Sequence, residues 1–373
     1  MYVDQYGNPI RTATETVVYI PKETPTPTTF SVPSQSSPSP PLPPIPAPPA
    51  APAAPMAALP PPPPPPVASE SVPAPPTAAA PVAPEATSVS VSAPTSSLRP
   101  EPISTTSGLH GVTYSPYKGD GNCKTADEVD KDFSVFAKDY GVVRIYGVDC
   151  DQVATVSKAA RKYGNKLMIG IFDIHAVDSA VATMAAGVGH DWSVVDTVSV
   201  GNELVNNGGA TLEQSLEALA QARSSLKAAG YQGPVVIVDT FVAVLAHPEI
   251  CDQSDYCAVN IHPFFDANTG PTEAGSFVGS IMQNIRKKLS DPNKRIVVTE
   301  TGWPWQGTAN GAATPGIDHQ ATALSTIRNA FSGNVGDVFL FTAFNDLWKK
   351  AEPATFMAEQ FWGMGGRYSP CDK

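Results

Sequence analysis

The stretch Arg295-Ile-Val-Val-Thr-Glu-Thr-Gly-Trp-Pro-Trp305 reads as a buried strand that carries an acid to its own C-terminal end. Ile296, Val297 and Val298 are apolar and β-branched, which suits a strand covered on both faces, and Gly302 and Pro304 stop it. Glu300 then stands beside Trp303 and Trp305. A carboxylate next to flat aromatic surfaces suits sugar chemistry, where the acid attacks or stabilises an anomeric carbon and rings stack on pyranose faces. A strand-end Glu that caps a helix or pairs with a Lys is the competing reading, so the rest of the chain has to decide.

Outward from this strand the chain repeats one rhythm. Strand patterns fall at 109–114, 142–146, 166–172, 194–200, 234–238, 256–261, 295–299 and 337–342, eight in all. Helical periodicity separates nearly all of them, at 125–138, 152–162, 177–186, 212–229, 275–289 and 317–331. Between the fifth and sixth strands, 241–246 supplies barely a turn or two. Eight βα units in about 260 residues is the count and size of an α/β (β/α)8 TIM barrel. No GxGxxG follows the first strand, which disfavours a doubly wound open sheet.

The region before the barrel differs in kind. Of the 40 prolines, 29 lie between Pro21 and Pro102, with an unbroken run from Pro60 to Pro66. Such a segment lacks large apolar side chains and backbone donors, so residues 21–107 are expected to be a disordered, extended stalk or linker. Residues 1–20 form a short mixed segment, and 108–373 the folded domain.

The net charge of −11 and the absence of a Lys/Arg cluster argue against nucleic acid as a partner. No run approaches the ~18–20 apolar residues of a membrane span. The segment MYVDQYGNPIRTATE shows no signal peptide, which has been removed or is missing from the sequence, and RYSPCDK carries no apolar tail for a lipid anchor. Of five cysteines, Cys123 and Cys150 each follow a strand at one end of the sheet and are the favoured pair, while Cys251 and Cys257 could close a small loop. No Asn-x-Ser/Thr sequon occurs, so attached sugar would be O-linked on the Ser/Thr/Pro segment.

In a barrel of this kind the chemistry sits at the C-terminal strand ends. Val200-Gly-Asn-Glu203 follows the fourth strand, and Glu300 ends the seventh, 97 residues later. Strands four and seven face each other across the mouth, so the two acids can converge. Tyr114, Tyr146, Phe264, Trp303 and Phe344 also lie at strand ends, as does Asn345, and all are candidates to touch sugar. Trp305 and Trp348 are weaker ones, and Asp149, Asp173, His175 and Asp346 could line the groove or simply face solvent. No GxSxG elbow or HExxH motif is present, so neither a serine hydrolase nor a metal-dependent one fits, and no cofactor or metal is expected.

Ser199-Val-Gly-Asn-Glu203 and Val298-Thr-Glu-Thr-Gly-Trp-Pro304 resemble the two active-site signatures of glycoside hydrolase family 17. The resemblance extends through Gly111-Val-Thr-Tyr-Ser-Pro-Tyr117, Arg144-Ile-Tyr-Gly-Val-Asp149, Asn260-Ile-His-Pro-Phe-Phe265 and Phe341-Thr-Ala-Phe-Asn-Asp-Leu-Trp348, and is nearest to the fungal cell-wall members. It implies Glu203 as acid/base, Glu300 as nucleophile, Asn202 on the sugar's 2-hydroxyl and Arg144 supporting the nucleophile. His262 stands where plant relatives often carry Tyr. It further implies a secreted, wall-located monomer acting on β-1,3-glucan, either as a retaining endoglucanase or as a glucanosyltransferase. A glucan-binding wall protein that has lost activity is the non-enzyme alternative, and the presence of both acids argues against it.

Overall fold

The computed structural model describes residues 2–3, 9–11, 108–364 and 368–371. The expected stalk at 21–107 lies outside the described residues, as does the 1–20 segment except for an antiparallel pairing of Tyr2–Val3 with Pro9–Arg11.

Eight strands close into a barrel: β1 (Gly111–Thr113), β2 (Val142–Arg144), β3 (Lys166–Ile171), β4 (Val195–Val200), β5 (Val235–Thr240), β6 (Cys257–Asn260), β7 (Ile296–Thr301) and β8 (Val338–Leu340). Neighbours pair in parallel in chain order, and β8 returns to β1 through Phe339↔Gly111 and Leu340↔Val112. The helices are α1 (Ala126–Phe136), α2 (Gln152–Tyr163), α3 (Val177–Gly187), α4 (Leu212–Ala228), α5 (Phe241–Ala246), α6 (Glu249–Gln253), α7 (Ala274–Arg286) and α8 (Ile317–Ala330). Thus the weak region after the fifth strand contains two short helices, of which α6 has too few residues to show a helical period.

Local chemistry sets the helix starts. Thr125 accepts the Glu128 N–H while the Glu128 carboxylate accepts the Thr125 N–H at 2.8 Å, and Thr211 and Gln214 repeat this reciprocal cap before α4. Strand alternation then splits the apolar residues in two. Val143, Ile169, Val198, Ile237 and Val298 point outward against Val129, Val156, Met184, Leu219 and Ile327 of the helices. Val142, Met168, Val236, Val238, Ala258 and Val297 point into the barrel. Each fully buried Val, Leu, Ile or Met among them contributes roughly 1.5–3 kcal/mol.

Two details shape the barrel mouth. A Cβ on Gly170 would sit 2.3 Å from the Tyr146 carbonyl oxygen, so only glycine lets the chain beyond β2 lie this close to β3. Between β6 and β7 the register shifts from Val259↔Val298 to Asn260↔Glu300. The shift breaks simple alternation, so Thr299 and Glu300 both reach groups inside the mouth: Thr299 Oγ1 donates to Asn260 and Glu300 accepts from Arg144.

Two disulfides are formed, Cys123–Cys150 and Cys251–Cys257, and Cys371 is free. The first ties the loop after β1 to the loop after β2, across 27 residues of sequence. Among the described residues no helix is long and apolar enough to cross a membrane. Replacing both Cys123 and Cys150 by Ser should cost ~2–4 kcal/mol of stability through the freer unfolded chain, read as a lower urea midpoint. An unchanged midpoint would mean that the cross-link restrains nothing the fold does not already hold.

Candidate active site

Arg144 ends β2 inside the barrel mouth with no solvent exposure. Its Nη1 donates to Glu300 Oε1 at 2.9 Å and to the Thr299 carbonyl at 3.0 Å, and its Nη2 donates to Asn202 Oδ1 at 2.7 Å. The Tyr146 ring lies over the guanidinium, 4.6 Å from its carbon, and the Tyr146 hydroxyl donates to the same Glu300 oxygen at 2.9 Å. The other Glu300 oxygen is 3.1 Å from His262 Nε2. His262 Nδ1 is buried without a hydrogen-bond partner, so a neutral ring carries its proton on Nε2 and donates to the carboxylate.

Glu203 comes to the same centre from the β4 side. It has a left-handed backbone (φ 56°), and Asn260 Nδ2 donates to its Oε1 at 2.8 Å. Asn260 also donates to Asn202 Oδ1 at 3.2 Å, and its own Oδ1 accepts from Thr299 at 2.8 Å. Asn202, Asn260 and Arg144 therefore join the two acids in one hydrogen-bond network.

The surroundings split the protonation of the pair. Burial pushes Glu203 up to about 7, the Glu300 charge adds to this, and the Asn260 hydrogen bond and His262 only partly oppose it. Burial would raise Glu300 too, but the Arg144 charge and the His262 hydrogen bond outweigh it and hold the carboxyl down at about 2. Between those limits one acid carries a proton and the other a charge, the arrangement needed for one group to give a proton while the other faces developing positive charge.

The cleft above them has a volume of about 1060 Å³. Of the residues singled out from sequence, Tyr146, Asn202, Glu203, His262 and Glu300 line it, with Arg144 directly beneath. Asp149, Asp173 and Trp348 line it too.

Five candidates are corrected. Tyr114 is buried against Phe133 and Phe136 and donates to Asp132 at 2.7 Å. Phe344 packs on the same cluster. Phe264 and Trp303 are fully buried against each other, with Trp303 Nε1 donating to the Thr314 carbonyl. Asn345 Oδ1 is taken up by Trp305 Nε1 at 3.0 Å and Gly363 N at 2.9 Å. None of the five lines the cleft; they build the wall behind it. Strand parity could have separated one pair of candidates: Tyr146 shares the inward parity of Val142 and Arg144, whereas Tyr114 shares the outward parity of Val112.

Sequence reasoning missed Phe172, Phe265, Lys349, Glu359 and Trp362, all of which line the cleft. Phe172 is 59% exposed, immediately beyond β3. Lys349 lies 3.4 Å from Asp346 and 3.5 Å from Glu359, and Trp362 packs on His262, Phe265 and Phe341. The last three belong to the long loop after β8, where no strand-end position marks them.

The sequence model of the BtgE/BtgC glycoside hydrolase domain matches residues 111–363. The chain is 43% identical over 260 residues to "Probable family 17 glucosidase SCW4" of Saccharomyces cerevisiae, covering 69% of this chain and 65% of that protein. It is 42% identical over 259 residues to "Cell surface mannoprotein MP65" of Candida albicans, covering 69% and 66%. The match thus spans slightly less than two thirds of these relatives' length. In fold, it is similar to the family 17 β-1,3-glucanosyltransferase of Rhizomucor miehei, with a TM-score of 0.58 at 20% identity over 69% of this chain and 92% of that one. With a family match that spans the barrel from β1 to beyond β8, and with both acids inside it, this chain belongs to the BtgE/BtgC glycoside hydrolase domain family, as the family 17 likeness of its motifs implies.

Proposed function

We propose that the protein is a retaining glycoside hydrolase acting on β-1,3-glucan, with Glu300 as nucleophile and Glu203 as acid/base. The observation that carries this reading is the pair of carboxyls in one cleft, one protonated near neutral pH and the other ionised, linked through Arg144, Asn202 and Asn260. Glu300, held by Arg144, Tyr146 and His262, attacks the anomeric carbon and forms a glycosyl-enzyme as the glycosidic bond breaks. Glu203 gives its proton to the leaving oxygen. It then takes a proton from the incoming water, whose oxygen displaces Glu300 and regenerates both acids. Asn202 meets the sugar beside the nucleophile.

The substrate class is supported by the relatives. One is named a family 17 glucosidase, and the fold neighbour is a β-1,3-glucanosyltransferase. The relative named a cell surface mannoprotein supports a wall location. A second reading, chain transfer, shares the first half-reaction and differs only in the acceptor. Its support is the exposed Phe172, an apolar platform lining the cleft just beyond β3, on which an acceptor sugar could stack.

Three outcomes are expected. Glu203→Ala should lose ~10²–10⁴-fold in turnover of laminarin. With azide and an activated aryl laminaribioside it should recover rate and release the β-glycosyl azide, while Glu300→Ala should release the α-azide. Product configurations the other way round would exchange the two roles, and no rescue in either variant would reject the pair. In pH profiles, kcat/KM should fall as pH rises through about 7, where Glu203 loses the proton it must donate, and the acid limb should lie near 2, where Glu300 would be neutralised. A profile still flat at pH 9 would contradict the assignment. Reduced laminari-oligosaccharides sized after incubation decide between the readings: only shorter products mean hydrolysis, and longer ones mean transfer.

A further inference from the structure

Asp239, on β5, is fully buried and lies outside the cleft. One of its oxygens accepts the Val205 N–H at 2.9 Å, and the other accepts the N–H groups of Asn206 at 3.3 Å and Thr240 at 2.8 Å. Burial raises the Asp239 pKa, and the three backbone donors on the one carboxyl offset this only in part.

Val205 and Asn206 lie two and three residues after Glu203, whose backbone is the strained one in the site. Glu203 has φ 56°, a left-handed conformation that a side chain with a Cβ keeps only where its surroundings hold it. Its own N–H donates to the Val238 carbonyl at 3.0 Å. Thus β5 grips the chain on both sides of the left-handed residue, by the Val238 carbonyl before it and the Asp239 carboxylate after it.

We infer that Asp239 is a positioning residue for Glu203: by accepting the N–H groups of Val205 and Asn206 it locks the left-handed turn that aims the Glu203 carboxyl at the glycosidic oxygen. The inference rests on reading Glu203 as the acid/base. A second consequence follows from charge. The groups facing Glu203 are Glu300 from β7, His262 and Asn260 from β6 and its following turn, and Asp239 from β5, with His247 acting on Asp239 from beyond α5. When Asp239 is ionised, its charge adds to the burial and the Glu300 charge that keep the proton on Glu203.

The test compares kcat/KM for phenyl and 2,4-dinitrophenyl β-laminaribioside, because dinitrophenolate leaves without a proton and phenol does not. Asp239→Asn should lose roughly 10–100-fold on the phenyl substrate, a fraction of the full general-acid effect, and less than ~3-fold on the dinitrophenyl one. The basic limb of its pH profile should move to lower pH. Asp239→Glu keeps the charge but moves the oxygens, so it should show the same leaving-group split with the limb unmoved, and it carries the test if Asp239→Asn does not fold. Rates are taken per site labelled by the 2-deoxy-2-fluoro dinitrophenyl substrate, so misfolded protein does not count. Equal losses on both substrates, in whichever variant folds, would overturn the positioning role. Glu203→Ala, run alongside, guards the underlying reading: if it too fails to discriminate between leaving groups, the acid assignment falls, whereas discrimination there and none at Asp239 rejects only the present inference.

Discussion

The site depends on one buried cation. Arg144 sits in the barrel mouth without solvent, and a guanidinium in that position is costly unless it is paired with an opposite charge. Glu300 supplies that charge, and the Thr299 carbonyl, Asn260 and Asn202 also accept from the two terminal nitrogens, while Nε has no hydrogen-bond partner among the described residues. These partners come from β6, β7 and the turn after β4, so with its own β2 this one cation ties together the ends of four of the eight strands. The closed barrel in turn makes the mouth narrow enough for strands that are not neighbours to share a single side chain.

The same cation gives two chemically identical acids different states. Glu300 touches Arg144 directly and also accepts from Tyr146 and His262, and these contacts outweigh the burial that would neutralise it. Glu203 is separated from Arg144 by Asn202 and Asn260, feels the negative charge of Glu300, and is driven the other way by burial. The neutral amides between them are the reason the split persists: an acid in their place would repel both carboxyls, and a base would ionise both. Stability and the state of the site are coupled here, since removing the cation would leave a buried Glu300 carboxylate without its opposite charge.

The walls of the cleft follow a different logic from its floor. Arg144, Asn260 and Glu300 on the floor sit on strands, and their direction is set by parity and by the register shift beside Thr299. Wall residues sit on loops that need separate anchoring. The Cys123–Cys150 bridge holds the β1 and β2 loops, Asp239 holds the loop after Glu203, and the pairing of Lys349 with Asp346 and Glu359 holds the loop after β8.

The linear order of residues was enough to specify the barrel and its two acids. Periods of two and 3.6 are local properties, and in a βα barrel the C-terminal strand ends share one face, which brings Glu203 and Glu300 to the same mouth. The disulfide partners at equivalent strand ends were legible for the same reason. What tertiary structure alone decided is which way each aromatic turns and which loop residues join the groove. Tyr114, Phe264, Trp303 and Phe344 lie where strands end, yet apolar neighbours draw them into the wall, because burying a ring in that packing is worth more than leaving it wet. Lys349, Glu359 and Trp362 carry no local mark and enter the cleft only because the last loop folds back over it. The division of protonation between Glu203 and Glu300 is likewise invisible in the chain, for it arises from distances between groups that only the closed barrel brings together.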